Sequence, residues 1–89
     1  MSRFTATLRE GEETLVSDVI VYVEEATDQA GIRSWYGAFQ VSLDTHVEPG
    51  GLLRIELDDG RGGDILITNI TISTHAPTQV SFLGTGPLA

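Results

Sequence analysis

Three aspartates and three glycines lie within seven residues, Asp58-Asp59-Gly60-Arg61-Gly62-Gly63-Asp64. This segment separates two runs of strand-forming apolar residues, Leu52 to Leu57 and Ile65 to Ile72. Glycine adopts a positive φ at no steric cost, and aspartate side chains hydrogen-bond nearby backbone amides, so such a segment can reverse the chain tightly. The pattern predicts the tip of a β-hairpin.

Apolar residues in the rest of the chain alternate with polar ones and do not recur at helical spacing. Phe4, Ala6 and Leu8 alternate with threonines, and Leu53 and Ile55 are separated by an arginine. This period of two is typical of strands with one buried face, and no window of eleven residues carries a helical stripe. The predicted strands lie at residues 4–8, 14–24, 32–43, 52–57, 64–74 and 80–82.

Five to six short strands joined by polar turns within 89 residues predict an all-β fold. We expect one domain, residues 1–89, built as a small antiparallel barrel or as a compact two-layer sandwich with little or no helix. Closure protects sheet edges that an open sheet of this size would leave unpaired. In strand count and turn spacing the chain is similar to SH3-like and OB-type small barrels, a resemblance that implies no activity.

The third predicted strand, residues 32–43, contains adjacent aromatic residues and a glycine. Trp35 and Tyr36 must point to opposite faces, and Trp35 shares its face with Phe39. We therefore expect Trp35 in the core and Tyr36 on the surface. Glycine inside a strand often marks a bulge or a sharp bend, and we interpret Gly37 as a corner of the barrel.

Composition and charge exclude several classes of partner and site. Thirteen acidic residues against five basic ones give a formal net charge of −8, and the five arginines are scattered. This charge repels phosphate backbones and anionic lipids, so we expect neither nucleic-acid nor membrane binding. The absence of cysteine excludes disulfides and thiolate ligands. No apolar run has the length of a signal-peptide core or a membrane helix, and we expect a cytoplasmic protein.

The hairpin tip is a first candidate metal site. Asp58, Asp59 and Asp64 place hard oxygen ligands on a flexible turn, which suits Ca²⁺. Their spacing lacks the alternating acids and the terminal glutamate of an EF-hand loop. Aspartate and glycine are also common in hairpin turns for conformational reasons alone, and we favour that structural interpretation.

A second candidate metal site follows the third strand. Asp44, His46 and Glu48 are spaced at i, i+2 and i+4, so an extended backbone places all three side chains on one face. An imidazole and two carboxylates are ligands for Zn²⁺ or another divalent ion. A polar strand end before a turn has the same composition, and we favour that interpretation. We therefore expect no cofactor, with Ca²⁺ and Zn²⁺ as the ions to test.

No pattern in the sequence predicts catalysis. There is no Gly-x-Ser-x-Gly motif, and neither His46 nor His75 has an evident serine or aspartate partner. We expect a protein that is not an enzyme.

The outward faces of the strands carry the most informative pattern. If Val19, Val21 and Val23 form the core face of the second strand, then Ile20 and Tyr22 point outward. No helix is predicted to cover them. Contiguous exposed apolar surface usually marks an interaction site. The alternative is a double-layer arrangement, in which the rest of the chain covers each strand on both sides.

The same reasoning applies to the fifth strand. If Leu66, Ile70 and Ile72 face the core, then Ile65 and Ile67 point outward. The predicted interface therefore consists of Ile20, Tyr22, Tyr36, Ile65 and Ile67. We expect a binding or structural module that contacts another protein, most simply a second copy of itself. The alternative is a small barrel that binds a divalent metal or a small ligand.

Overall fold

The computed structural model describes residues 2–42 and 47–89. In those residues no helix is long and apolar enough to cross a membrane. Six strands account for most of the chain: β1 Ser2–Glu10, β2 Glu13–Thr27, β3 Arg33–Val41, β4 Leu52–Leu57, β5 Gly62–Thr71 and β6 Thr78–Gly84. They form a closed antiparallel barrel in the order β1-β2-β3-β6-β5-β4. The prediction of an all-β small barrel is confirmed, and the sandwich alternative is not needed.

Two three-stranded meanders make up this barrel. Strands β1 to β3 form one meander and β4 to β6 the other, and the two meet where β3 pairs with β6 and β1 pairs with β4. Closure gives each strand two neighbours, which is how small sheets avoid unpaired edges.

Alternating side chains from all six strands fill the interior. The largest fully buried side chains include Phe39, Leu8 and Ile55. Val19, Val21, Val23 and Trp35 are also buried, as their alternation predicts. The core consists of Ala6, Leu8, Val19, Val21, Val23, Trp35, Phe39, Val41, Leu53, Ile55, Leu57, Ile65, Ile67, Val80 and Phe82.

The orientation predicted for the fifth strand is right at Ile70, which packs against the core, and wrong on the other side of Thr68. Ile65 and Ile67 do not point outward, since they are 0 % and 1 % exposed and lie in the core. Ile72, expected to face the core, is 72 % exposed, and Leu66 is only half-buried. The two buried isoleucines are therefore removed from the candidate interface.

A β-bulge in β5 explains the error at Ile65 and Ile67, whereas Ile72 is exposed because it lies beyond the last residue of the strand. Ile67 pairs with Phe82, but the next pair is Asn69 with Ser81, which leaves Thr68 as an extra residue. A bulge of this kind reverses the alternation of faces along a strand. Counting in twos across it therefore assigns the wrong face to every residue on its other side.

At Gly37 the backbones of β2 and β3 approach each other closely. β3 keeps an uninterrupted register through Gly37, so the residue is not a bulge. A Cβ at this position would overlap the backbone carbonyl oxygen of Tyr22 and touch the ring of Phe82. The missing side chain allows the close approach of β2 and β3 that a tight barrel requires.

Candidate interaction surface

Four outward-facing apolar side chains form a continuous row across four neighbouring strands. Tyr36 on β3 pairs with Leu83 on β6, and Leu83 pairs with Leu66 on β5. Leu66 in turn pairs with Leu52 on β4. Directly paired residues on one face of a sheet have Cβ atoms roughly 5 Å apart, so neighbouring side chains in the row can touch. We call Tyr36, Leu83, Leu66 and Leu52 the apolar row.

The apolar row lies on one side of the barrel and is open to solvent. Leu52 is 67 % exposed, Leu83 43 % and Tyr36 42 %, whereas Leu66 is half-buried between its neighbours. Barrel strands are tilted by about 35–45° to the barrel axis, so a row perpendicular to the strands runs partly along the axis. The four side chains therefore do not encircle the molecule.

Two residues of β2 extend the row. Tyr22 pairs with Ala38, which lies two positions along β3 from Tyr36. Ile20 follows on the same face of β2, and both side chains are exposed, by 43 % for Tyr22 and 42 % for Ile20. The outward orientation predicted for Ile20, Tyr22 and Tyr36 is confirmed. Their contact with a partner stays a prediction.

The size of this surface is informative. The exposed parts of these side chains amount to on the order of 400 Å² of apolar surface, which matches the largest apolar patch of a typical monomer. Patches of that size are often functional. The barrel does not need them for its own core, because the interior is already filled.

An ion pair borders the apolar row. Arg54 and Asp64 face each other on β4 and β5, next to the pair formed by Leu52 and Leu66. The Arg54 Nη1 atom lies 3.8 Å from the Asp64 Oδ1 atom, and both side chains are largely exposed. An apolar centre with a charged border is the usual arrangement of a protein interface.

Arg61 connects the predicted hairpin tip to the opposite meander. Its backbone N–H donates to Asp59 Oδ1 at 3.0 Å, and its Nε donates to Asp59 Oδ2 at 2.8 Å. Its Nη1 lies 3.5 Å from Glu25 Oε1, and its guanidinium carbon lies 5.4 Å from the centroid of the Phe4 ring. The backbone N–H of Arg61, followed by its guanidinium, lowers the pKa of Asp59 from its ordinary value of 3.8. The tip therefore has a structural role.

Two of the three aspartates at the hairpin tip are held by arginines in the described part of the chain, and metal binding there stays a prediction. Asp59 is hydrogen-bonded to Arg61 and Asp64 is paired with Arg54. The backbone N–H of Asp58 donates to the carbonyl oxygen of Thr5. Across residues 2–42 and 47–89, no group of three metal-ligating side chains converges.

The second candidate metal site is only partly described. Asp44 and His46 lie outside the described residues. Glu48 is exposed, and its carbonyl oxygen accepts a hydrogen bond from the backbone N–H of Gly51 at 3.1 Å. The proposed convergence of these three side chains is therefore untested.

A cleft of about 680 Å³ opens at one end of the barrel. The β2–β3 hairpin continues past the end of β1, where Ser2 pairs with Val23, and its residues 25–27 and 33–35 form one wall of the cleft. The C-terminal segment, residues 84–88, forms the opposite wall of the cleft. We call this space the end cleft.

Sequence reasoning missed three members of the apolar row, Leu52, Leu66 and Leu83. The alternation of Val80 and Phe82 in β6 places Leu83 on the outer face, so the outward orientation of Leu83 could be predicted from the sequence. Their adjacency depends on which strands are neighbours and in what register, and neither can be read from local periodicity.

No known protein family, curated protein or solved structure matches this chain.

Proposed function

We propose that the protein is a non-enzymatic module that acts through protein–protein contact, and that it associates with a second copy of itself through the apolar row. One observation carries the proposal. The residues of the row are direct cross-strand partners on the outside of a barrel whose core is complete without them. Apolar side chains exposed in this way gain free energy when a partner removes them from water.

The available area fits a small dimer interface. A standard interface buries roughly 800 Å² on each partner, of which about 56–65 % is apolar. The apolar row together with Tyr22 and Ile20 supplies on the order of 400 Å² of that apolar surface. A polar border of ordinary size completes the interface.

The charge distribution favours a copy of the same chain over an unrelated partner. The ion pair of Arg54 and Asp64 puts both signs of charge at the border of the row. In a two-fold symmetric contact, a residue on one surface meets its complement on an identical surface, so a border of mixed sign is self-complementary. The net charge of −8 opposes association at long range, and added salt should therefore strengthen it.

Sedimentation equilibrium of matched variants tests this function. Leu52→Glu introduces a charge into the apolar row, while Ile72→Glu introduces the same charge at an equally exposed residue, 67 % against 72 %, outside the row. We expect twice the monomer mass at micromolar concentration for the native protein and for Ile72→Glu. Leu52→Glu should shift the equilibrium toward monomer by at least tenfold.

A native protein that remains monomeric throughout would remove the self-association proposal. Equal masses for the two variants would show that any dimer uses another surface. Circular dichroism of both variants ensures that a change in mass does not reflect unfolding.

A further inference from the structure

A short part of β3 has a strand on only one side. Arg33, Ser34 and Trp35 pair with residues 25–27 of β2. On the other side of β3, pairing with β6 begins only at Tyr36, opposite Leu83. In the described part of the chain, residues 33–35 are therefore an exposed edge of the sheet, as are residues 24–27 of β2 on the other side of the same hairpin. Such edges pair readily with another chain, and the end cleft lies along the edge formed by β3.

The segment that would cover this edge turns away from it. Gly84 pairs with Ile65, and the backbone N–H of Thr85 donates to the carbonyl oxygen of Asp64 at 3.0 Å. Further on, Ala89 and Gly62 exchange two backbone hydrogen bonds. The C-terminal segment thus follows β5, and the end cleft is the space left between this segment and residues 33–35 of β3.

The indole ring of Trp35 holds the two walls of the end cleft in place. Its Nε1–H donates to the carbonyl oxygen of Gly86, with an N···O distance of 2.7 Å. The ring packs so closely on Gly84 that a Cβ there would overlap it, and it also contacts Gly63. The end cleft is thus formed before any ligand arrives, which lowers the entropic cost of binding.

The two charged residues that line the end cleft differ in whether they already have an ion-pair partner. Glu25 and Arg33 both line it, but Glu25 is already paired with Arg61 at 3.5 Å. Among the described residues Arg33 makes no ion pair. The charge left for a ligand is therefore the Arg33 guanidinium, which binds carboxylates well.

We propose that the end cleft binds an extended peptide of another protein as an added strand. The peptide backbone pairs with residues 33–35 of β3, and a carboxylate of the peptide lies against Arg33. A volume of about 680 Å³ is ample for a few residues in extended conformation. Strand addition at an exposed edge is a common mode of peptide recognition. The site adjoins the apolar row at Tyr36 and Leu83 but is lined by other residues.

Selection from a displayed library of random decapeptides identifies the probe. The library is selected on the native protein, and the affinity of the best synthetic peptide is measured through the emission of Trp35, the only tryptophan. We expect the enriched peptides to have a β-branched residue at every second position, as in a strand, and to contain an acidic residue. Arg33→Glu should weaken binding at least tenfold, while Arg3→Glu, which reverses an exposed arginine on β1, should leave it unchanged.

Backbone methylation of the selected peptide tests strand addition itself. Methylating every second amide removes the hydrogen bonds on one edge of the peptide only. We expect one alternating set to weaken binding at least tenfold and the complementary set to have little effect, with amide signals of residues 33–35 shifting in NMR spectra.

Several results would overturn the peptide proposal without touching the proposed dimer. These are a selection with no enrichment, peptides indifferent to Arg33→Glu, equal effects of the two methylated sets, or peptide-induced shifts confined to the apolar row. Shifts at residues 33–35 that appear with protein concentration alone would show that a second copy occupies the end cleft instead.

Discussion

The two sides of the barrel have the same kind of interior but opposite exteriors. On β1, the outward positions are Arg3, Thr5, Thr7 and Arg9, which alternate with the inward-facing Phe4, Ala6 and Leu8. On β3, β6, β5 and β4, one outward position on each strand carries an apolar side chain of the row. Because every strand, including β1 with its polar exterior, contributes side chains to the core, an inward-packed strand does not require an apolar outer face.

This difference separates stability from interaction. The β1 side shows that threonine and arginine are sufficient on the outside of a strand in this barrel. The apolar row exposes large side chains, and such exposure lowers solubility. A partner molecule that covers the row would account for these side chains. Changes to inner residues should therefore affect folding of the isolated chain, and changes to the row should affect association.

The largest expected effect is the difference in free energy of unfolding between substitutions of inner and of outer residues on the same side of the barrel. Ile67→Ala removes a side chain that is 1 % exposed, and we expect it to lower the free energy of unfolding by about 2–5 kcal/mol. Leu52→Ala removes a side chain that is 67 % exposed and should change it by less than about 0.5 kcal/mol when the protein is dilute. Urea unfolding measures both. Similar losses for the two variants would contradict the assignment of faces.

Concentration should change the thermal stability of the native protein more than that of a variant with a disrupted row. A dimer is stabilised by mass action, so a hundredfold dilution should lower the midpoint of unfolding by several degrees. Leu52→Glu should show little dependence on concentration. Calorimetric scans at two concentrations check this, and a native midpoint that does not move on dilution would argue against self-association.

The smallest expected effect concerns Arg61, which connects the hairpin tip to the β1 side. Arg61→Ala removes its contacts with Phe4, Glu25 and Asp59, and we expect a midpoint lowered by a few degrees at neutral pH. Arg61→Lys keeps the charge but loses the hydrogen bond from Nε. Its midpoint of unfolding should therefore lie between those of the native protein and Arg61→Ala.

The part of this effect that comes from Asp59 should depend on pH. The pKa of Asp59 is lowered in the folded protein, so its contribution is fully present above the unfolded value of 3.8 and is lost as pH falls through the folded value. The midpoints of the native protein and Arg61→Ala should therefore converge below about pH 4. A difference that grows on acidification would contradict this interpretation.

Most of the fold could be predicted from sequence because its signals are local. Alternation placed Val21 and Trp35 inside and Tyr36 outside, and the aspartates and glycines located the β4–β5 hairpin. The bulge at Thr68 could not be predicted, since no proline or glycine marks it, and it reversed the assignment of Ile65 and Ile67.

The candidate surfaces were less accessible to sequence reasoning. Tyr36 and Leu83 are 47 positions apart, and they become neighbours only because β3 pairs with β6 in one particular register. The end cleft depends in the same way on where β6 stops following β3. Both features are properties of strand order, which period-two patterns do not contain.

Isotope-filtered NMR on an equal mixture of ¹³C-labelled and unlabelled protein tests the central claim most directly. We predict intermolecular NOEs from the methyl groups of Leu52, Leu66 and Leu83 to residues of the apolar row in the other copy. The absence of intermolecular NOEs at high concentration, or NOEs that connect the β1 side instead, would contradict it.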